Sequence, residues 1–322
     1  MIMPVNKTGW IPYTLRNNYQ KRMTDQYHER IGTFSERGVR LADTPERVIM
    51  HELEIKATGA LLPRIWQQTG SCVGCGGARA YTLAQVGDVV CRGDQEEIKI
   101  PFPFATYGVG REISGARGKG EGSFGGAQAK AIRDFGMLPW DFENNKIPRP
   151  TIKNGWATWK SSEEMTWSHP SAWPIRRSEL EPDSQKYIIQ DVTQAETTDD
   201  LVQGLAQGYS GTIACMFGTR GCKVQGDVLI APWNDEWAHQ QCIAGYWQHP
   251  KLGLIFIIDN QWNDVHGECP TLGPIGVNGS YWMLAKDMEK ILRSRDGEVY
   301  LHSNTKGFPL QLIDWGTLGI VV

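Results

Sequence analysis

The sequence lacks long apolar runs, a strong net charge and a dense set of cysteines, and each absence excludes a class of protein. No segment approaches the ~20 consecutive apolar residues that span a bilayer, and the first residues do not join a basic stretch to an apolar one, as a secretory signal does. We therefore expect a cytoplasmic protein with no membrane partner. A formal net charge of -3 at pH 7 gives no electrostatic reason to expect nucleic acid as a partner.

Seven cysteines among 322 residues are an odd number, and they are spread along the chain instead of being clustered as in a disulfide-stapled secreted domain. We expect most of them to be reduced and buried. With 40% hydrophobic and 21% charged residues, the composition is that of an ordinary globular protein with enough apolar material for one large domain or two lobes.

Helix-forming patterns come first along the chain, and strand-like segments follow. The small-residue segment from Cys72 to about Val86 predicts a central, closely packed helix, and residues 127–135 predict a second helix that ends before Gly136. One later helix is predicted at about 198–207, among strands expected at 187–193, 212–217, 227–231, 239–247 and 252–260. This order predicts an α+β fold with a helical left lobe and a strand-rich, barrel-like right lobe.

Two further segments extend or interrupt this predicted body. The N-terminal arm is polar, with seven Lys or Arg that outnumber its acids, so we expect it to dock on the more acidic body or on a protein partner, including another copy; a solvated extension is the alternative. Five tryptophans between Trp140 and Trp173 predict a surface-laid excursion anchored by aromatic rings. The predicted organisation is an arm at 1–45, a body at 46–292 and a tail at 293–322, the body comprising a left lobe at about 60–140, the excursion at 140–182 and a right lobe at 183–292.

Cys72 follows Gly70 and Ser71 and opens the predicted central helix. Backbone N–H groups and the helix dipole at such a junction favour the thiolate, and they can lower a cysteine pKa to about 3.5 to 7.5. A single cysteine is otherwise most often a small buried hydrophobic residue. The junction makes Cys72 the candidate nucleophile.

His239 and Asn260 are brought together by a predicted hairpin. His239 opens the segment HQQCIAGYW, a tight connection follows at 248–251, and the second strand ends at Asn260. Antiparallel strands joined in this way place the two residues side by side at one end of the hairpin. Asn260 would then fix the tautomer and the ring plane of the imidazole.

Taken together, these segments resemble the active-site segments of papain-like cysteine peptidases, in the form found in bacterial and phage members. The resemblance covers roughly residues 60–290 but not the Trp-rich excursion within them, and the order Cys, His, Asn is the family's order. It rests on QQTGSCVGCGG around Cys72, the Gly245-Tyr246 exit of the His-containing strand, Asn260-Gln261-Trp262-Asn263 in place of Asn-Ser-Trp-Gly, GSFGGAQAKAIRDFG at 122–136 and, more weakly, PFPFATYGVGREI at 101–113.

The resemblance implies a two-lobe papain-like fold and a thiol protease, a hydrolase that cleaves peptides or proteins without a metal or an organic cofactor. Cys72 would be the nucleophile, His239 its base and Asn260 the residue that orients the base. Trp262 would shield the His239–Asn260 hydrogen bond from water. The helical signature of the family's longer inhibitory pro-segment is absent, so assembly through the arm is favoured over self-inhibition as a short pro-segment.

The cleft residues follow from the same resemblance. Gln67 would donate to the oxyanion, and Gln68 remains an alternative because the family's Gln lies six residues before the nucleophile, where this chain has Trp66. Gly125 and Gly126 correspond to the family's Gly-Gly segment, where an extended substrate pairs with backbone unobstructed by side chains.

Two departures leave alternatives for the nucleophile and the spacing. Cys75 is a rival nucleophile, because the plant-type pattern places a second cysteine three residues before the catalytic one. The separations from Cys72 are 167 residues to His239 and 188 to Asn260, longer than the ~130–150 of the papain pattern. The excess is assigned to the excursion at 140–182, since insertions are tolerated in loops.

Other functions compete with peptide cleavage. Cys72, Cys75, His239 and Cys242 could form a Cys3His zinc set, but a strand at 239–247 would point His239 and Cys242 to opposite faces. A thioredoxin-like role lacks the βαβ start that it needs. The main alternatives are a papain-like body used structurally, for example in a virion or an assembly, and an amidase that acts on cell-wall peptides.

Overall fold

A computed structural model of the chain describes residues 9–37, 40–93, 97–116, 121–142, 146–217, 223–225, 227–232, 237–263, 265–266, 269–270 and 279–305. The first eight residues of the predicted arm and residues 306–322 of the predicted tail lie outside this part of the chain. None of the helices in the described ranges is both long and apolar enough to cross a membrane.

Helices dominate the first half of the described chain, and most strands follow them. The helices are α1 (Asn18–Ile31), α2 (Phe34–Arg37), α3 (Met50–Thr58), α4 (Cys72–Arg92), α5 (Pro103–Ile113), α6 (Gly125–Asp134), α7 (Ser161–Trp167), α8 (Arg177–Ser184), α9 (Thr198–Ala206) and α10 (Ala285–Arg293). The strands are β1 (Arg47–Ile49), β2 (Arg64–Ile65), β3 (Thr151–Lys153), β4 (Trp156–Thr158), β5 (Ile189–Gln194), β6 (Ser210–Phe217), β7 (Lys223–Gln225), β8 (Val228–Ile230), β9 (Trp237–His249), β10 (Gly253–Asp259), β11 (Val265–His266), β12 (Cys269–Pro270), β13 (Ser280–Leu284) and β14 (Glu298–Thr305). The α+β class is as predicted.

The main sheet runs in the order β5-β14-β6-β9-β10-β13-β8-β7, and β1 also pairs with β9. Only the β13–β8 pair in this sheet is parallel. Strands β5 and β7 lie at the two ends of the path, so the described strands form an open sheet and not the barrel-like lobe that we expected. Closure depends on pairing between edge strands, which the sequence patterns of single strands do not reveal.

Helix α4 is the central buried helix, as predicted. Its residues are buried from Cys72 to Asp88, and it packs between the main core around the sheet and a second core under α5 and α6. Glycines bring other backbones onto it: a Cβ added at Gly76 would lie 3.2 Å from the backbone oxygen of Gln240 on β9. A Cβ added at Gly74 would lie 2.6 Å from the Cβ atom of Tyr107 on α5. Larger residues would push α4 away from the strand that it faces.

The predicted hairpin is formed by β9 and β10. Residues 250–252 connect the strands, His249 pairs with Gly253, and Asp259 at the end of β10 pairs with Cys242. A register shift between Ile257 and Ile258 bends the far end of the pair. The hairpin places Asn260, the residue after β10, at the same end as His239.

Aromatic rings of the segment 140–182 pack against Phe102, just before α5. Trp156, Trp159, Trp167 and Trp173 are buried. The ring of Phe102 lies edge-on to Trp159 at 5.7 Å and to Trp167 at 5.3 Å between centroids, a geometry that favours aromatic pairs. Strand β4 also pairs with β2, just before the loop that leads to Cys72.

The segment predicted as a C-terminal tail contributes a central strand to the main sheet. Strand β14 pairs with β5 on one side and with β6 on the other. Val299 and Leu301 are buried in the main core, and Tyr300 and His302 are buried on the opposite face. A strand buried on both faces has no clear polar and apolar alternation, which is why its pattern was missed.

Gly87 and Gly77 give a matched test of the packing of α4. A Cβ at Gly87 would lie 2.1 Å from the backbone oxygen of Gly208, whereas a Cβ at Gly77 would meet only side-chain atoms of Ile132 and Gln128, at 3.1 and 3.2 Å. Alanine is favoured over glycine inside a helix by about 1 kcal/mol. We nevertheless expect Gly87→Ala to lower the free energy of unfolding by roughly 1–3 kcal/mol through overpacking, and Gly77→Ala to change it little. Urea unfolding followed by circular dichroism measures both; equal stabilities would contradict this packing.

Candidate active site

Cys72 is the first residue of α4, and its side chain is fully buried. The backbone nitrogen of Gly9 lies 3.3 Å from its sulfur, and the backbone N–H of Gln240 on β9 also donates to it. Desolvation outweighs these donors and raises the pKa of the thiol to about 11. In this state Cys72 is a neutral thiol that lies against β9, where its sulfur accepts the N–H of the residue after His239.

His239 is buried on β9 and donates from Nε2 to the side-chain oxygen of Asn260 at 2.8 Å. The same oxygen accepts the backbone N–H of Gln261 at 2.8 Å, which fixes which end of the amide faces the ring. Because an amide oxygen only accepts, Nε2 carries the proton and Nδ1 keeps a free lone pair. The structure therefore joins His239 and Asn260 as the hairpin predicts.

The indole of Trp262 stacks on the His239 imidazole, with ring centroids 4.1 Å apart and planes 21° from parallel. Burial lowers the pKa of His239 to about 4, and the hydrogen bond to Asn260 only partly opposes that shift. The Nδ1 atom is buried and has no hydrogen-bond partner among the described residues. A neutral imidazole with a free Nδ1 is an acceptor suited to a thiol proton.

The fourth residue of the segment Asn260-Gln261-Trp262-Asn263 explains one departure from the family motif. Asn263 has a φ of 72°, in the left-handed region. Asparagine is one of the few non-glycine residues that adopt this conformation readily. Asn263 can therefore take the place of the motif's glycine without changing the turn that carries Asn260 and Trp262.

Gln67 and Gln68 point to different surroundings. The backbone N–H of Gln67 donates to the carbonyl of Gln261 at 3.0 Å, and its buried side-chain amide donates to the carbonyl of Thr69 at 2.9 Å. The side chain of Gln68 donates instead to the hydroxyl of Thr158 on β4, at 3.0 Å. Gln67 thus lies beside the segment that carries Asn260, and Gln68 faces the excursion.

Cys75, the rival nucleophile, and Cys242, a member of the possible zinc set, both lie in hydrophobic cores. Cys75 packs in the core under α5 and α6, and its burial raises the pKa of its thiol well above the ordinary range. Cys242 packs in the main core, three residues along β9 from His239 and therefore on the opposite face of the strand. Within the described ranges, no group of three or more His, Cys, Asp or Glu residues is arranged to hold a metal ion.

A buried carboxylate meets the two glycines, and the arm pairs with the backbone just before them. Gly125 and Gly126 begin α6, and their N–H groups donate to the buried carboxylate of Glu298 at 3.0 and 3.4 Å. The backbone that pairs with an extended segment is that of Ser123, two residues earlier. Its N–H donates to the carbonyl of Gly9 at 2.8 Å, and its carbonyl accepts the N–H of Ile11 at 2.7 Å. The structure therefore brings Ser123, and not the two glycines, to the pairing position.

Residues 9–11 of the arm cross directly over the candidate nucleophile. Besides the contact of Gly9 with the Cys72 sulfur, a Cβ added at Gly9 would lie 1.5 Å from the carbonyl oxygen of Gly70. Only glycine allows so close a crossing. Trp10 is buried in a small core that includes Cys72 and Phe124. The arm docks on its own body, whereas association with a partner through the arm stays a prediction.

A buried ion pair between Arg16 and Glu298 fastens the arm. The two side chains approach to 2.6 Å and are 0% and 2% exposed. Glu298 also accepts the indole N–H of Trp10 at 2.8 Å and the hydroxyl of Tyr300 at 3.0 Å. Burial alone would raise the pKa of Glu298, but Arg16 outweighs it and holds that pKa at about 2. The guanidinium of Arg16 also lies over the ring of Phe124, 4.1 Å from its centroid.

Sequence reasoning missed Arg16 and Glu298 because no local pattern links them: 282 residues separate the two. The one available signal was the excess of positive charge in the arm, which predicted docking but not its position. Sequence reasoning also missed Ser123, because its pairing with the arm depends on its backbone and not on the identity of its side chain.

The fold is that of the papain-like cysteine proteases. The crystal structure of xylellain, a cysteine protease from Xylella fastidiosa, is similar to it with a TM-score of 0.56 at 16% identity, over 94% of this chain and 99% of that chain. Procathepsin B S9 from Trypanosoma congolense gives a TM-score of 0.48 at 10% identity, over 93% of this chain and 84% of that one. No protein-family model matches the sequence, and no curated protein matches it. At these identities the likeness shows the fold alone.

Replacing Trp262 tests what keeps His239 neutral. Trp262→Ala would let water reach the imidazole, and hydration favours its charged form, so we expect the pKa of His239 to rise from about 4 toward the ordinary value of about 6.5. Trp262→Phe keeps an aromatic ring and should leave the pKa low. NMR titration of the His239 ring protons measures both variants. An unchanged pKa in Trp262→Ala would mean that the indole does not shield the ring.

Replacing Arg16 tests whether the arm covers Cys72. Arg16→Ala leaves the buried Glu298 carboxylate without its cation, which costs roughly 3–5 kcal/mol, so the arm should leave the cleft more often. We expect alkylation of Cys72 by iodoacetamide to become at least about tenfold faster. A tenfold change corresponds to about 1.4 kcal/mol, which is less than the cost of removing the cation. Arg22→Ala is the matched control, since Arg22 is an exposed arginine on α1. Peptide mapping identifies the labelled cysteine, and equal rates in the two variants would contradict the covering role.

Proposed function

We propose that this protein is a cysteine peptidase that uses Cys72, His239 and Asn260. The observation that carries the proposal is the hydrogen bond from His239 Nε2 to the Asn260 side-chain oxygen at 2.8 Å, with the Cys72 thiol held against the neighbouring residue of the same strand. That bond fixes the tautomer in which Nδ1 accepts a proton. A thiol and a base oriented by a third group are the arrangement that activates a nucleophile.

The reaction would begin with transfer of the Cys72 proton to His239 Nδ1. The sulfur then bonds to the carbonyl carbon of the scissile amide, and the carbonyl oxygen takes a negative charge. His239 gives its proton to the amide nitrogen, the C–N bond breaks, and the amine leaves. Water, deprotonated by His239, attacks the thioester; the C–S bond breaks, the carboxylic acid is released, and His239 returns the proton to the Cys72 sulfur.

The oxyanion would be bound by the Cys72 backbone N–H at the start of α4 and by the side-chain amide of Gln67. Because this amide donates to the Thr69 carbonyl at 2.9 Å, it would have to turn toward the oxyanion when substrate binds. Donors already in place where charge develops are commonly the largest source of rate enhancement.

The substrate would be an extended peptide whose backbone pairs with Ser123, where residues 9–11 of the arm now lie. Backbone pairing along one edge is a common mode of peptide recognition. Full-length protein would therefore be latent. Under the arm, desolvation keeps Cys72 a thiol and His239 an uncharged base, and access of water would move both groups toward the reactive ion pair.

Hydrolysis of a fluorogenic peptide library by full-length Arg16→Ala protein tests the proposal. In that background, Cys72→Ala and His239→Ala should each lower kcat/KM by at least about 10³-fold. Asn260→Ala should lower it less, by roughly 10- to 100-fold, because orienting a base contributes less than supplying one. Circular dichroism of each variant checks the fold.

Cys75→Ala is the control for the nucleophile, and it should keep most of the activity. Activity that survives Cys72→Ala but not Cys75→Ala would transfer the role to Cys75. If the Arg16→Ala parent hydrolyses nothing although iodoacetamide labels its Cys72 rapidly, the papain-like body has a structural role and the proposal fails.

A further inference from the structure

Glu164 lies on α7, in the Trp-rich excursion, and its side chain is fully buried. Its carboxylate accepts hydrogen bonds from four donors on the segment before Cys72. The backbone nitrogens of Gln68 and Thr69 lie at 2.9 and 3.0 Å, and the hydroxyls of Thr69 and Ser71 at 2.8 and 3.4 Å. The excursion thus contributes a buried acid to the edge of the site.

The segment that it holds, residues 67–71, is here called the nucleophile loop. The loop joins β2 to α4, so its far end sets the position of the Cys72 N–H. Its first residue is Gln67, the other proposed oxyanion donor. Glu121 accepts the next backbone N–H along the loop, that of Gly70, at 2.7 Å. Backbone N–H groups of Gln68, Thr69 and Gly70 are therefore all held by carboxylates.

We propose that Glu164 is a positioning residue of the peptidase: it holds the nucleophile loop so that the Gln67 amide and the Cys72 N–H converge on one oxyanion. This inference rests on the proposed function. Charge-assisted hydrogen bonds are about twice as strong as neutral ones, and two carboxylate oxygens offer enough acceptor sites for four donors. A displacement of about 1 Å at such donors can cost roughly 10²-fold in rate.

A glutamine at this position would fit the space but not the donors. Its single oxygen could accept only part of the set, and its NH2 group would face the N–H of Gln68 or Thr69. Two donors pointing at each other in a buried site would force the loop to shift. Glu164→Gln therefore preserves shape while it disturbs the proposed function of the side chain.

The charge of Glu164 also gives the proposal a pH signature. Burial raises the pKa of Glu164 to about 7, and the hydrogen bonds from Thr69, Gln68 and Ser71 only partly oppose that shift. The charge of Glu164 in turn raises the pKa of Cys75 on α4. The charged groups on the neighbouring segments are Arg111 on α5, which donates to the carbonyl of Ser168 just after α7 at 3.0 Å, and Glu121, which accepts the N–H of Gly70.

The sign of the pH effect follows from the acceptor count. Below about pH 7 the protonated acid has a donor of its own and fewer acceptor sites, so it holds the nucleophile loop less completely. Because the pKa of Glu164 in the folded protein lies above its ordinary value, the side chain stays protonated to a higher pH than an exposed glutamate does. The carboxylate becomes the main form only as the pH rises through about 7. The kcat of the Arg16→Ala parent should therefore rise over this range by a step that the Glu164→Gln variant lacks.

The experiment compares Glu164→Gln with Glu163→Gln, both in full-length Arg16→Ala protein. Glu163 is the matched control, because it is the preceding residue on α7 and accepts only the exposed backbone N–H of Lys160, at 3.0 Å. We expect Glu164→Gln to lower kcat by roughly 10- to 100-fold with KM changed less than about twofold, and to leave alkylation of Cys72 by iodoacetamide unchanged, since that reaction forms no oxyanion. Equal kcat in the two variants, or a loss confined to KM, would overturn the proposal.

A second measurement decides the question without peptide hydrolysis. Hydrogen exchange at the Gln68 and Thr69 amides of the full-length protein should become at least about tenfold faster in Glu164→Gln than in Glu163→Gln. Thr69→Val, which loses one donor, should show a smaller effect on exchange, and Thr69→Ser should restore wild-type rates. Unchanged exchange in Glu164→Gln overturns the positioning role even if every variant is inactive. Absence of hydrolysis in the Arg16→Ala parent would count only against the proposed function.

Discussion

Helix α4 and strand β9 meet without an intervening side chain at Gly76, and the candidate site depends on that contact. The side chain of Gln240 donates to the carbonyl of Val73 at 3.3 Å, which fastens the first turn of the helix to the strand. Cys72 begins the helix and His239 precedes Gln240 on the strand, so the two groups of the proposed dyad lie on different elements whose relative position is set by this one interface. Close packing of backbones makes that interface stiff.

Local sequence patterns predict the parts of the candidate site whose residues lie close together in the sequence. The hairpin from His239 to Asn260 has strands of predictable length and a short connection, so its ends had to meet. The helix after Cys72 was visible from its small residues, since these allow close approach of other elements. At the fourth position of the motif this chain has Asn263 in place of glycine, and its left-handed backbone is a conformation that asparagine adopts readily.

Contacts between distant segments could not be derived in the same way. Charges alone predicted that the arm would dock, but the pairing of Arg16 with Glu298 depends on β14 lying beside α6, which follows only from the whole topology. Glu164 was hidden for a related reason: it lies in the excursion, which the family resemblance does not cover. Sheet closure was wrongly expected because strand patterns do not specify which edges pair.

The covering segment belongs to the same chain as the site that it covers, and this has a kinetic consequence. Thr33 pairs with Gln194, and β1 pairs with β9 further along the chain, so the segment that follows the covering residues 9–11 is fastened to the body near the cleft. A tethered group acts at an effective concentration of roughly millimolar whatever the concentration of the protein. Dilution therefore does not uncover Cys72. Uncovering is a first-order property of each molecule, set by the contacts that hold the arm, and it changes when those contacts are weakened, the chain is cut or a ligand competes for the cleft.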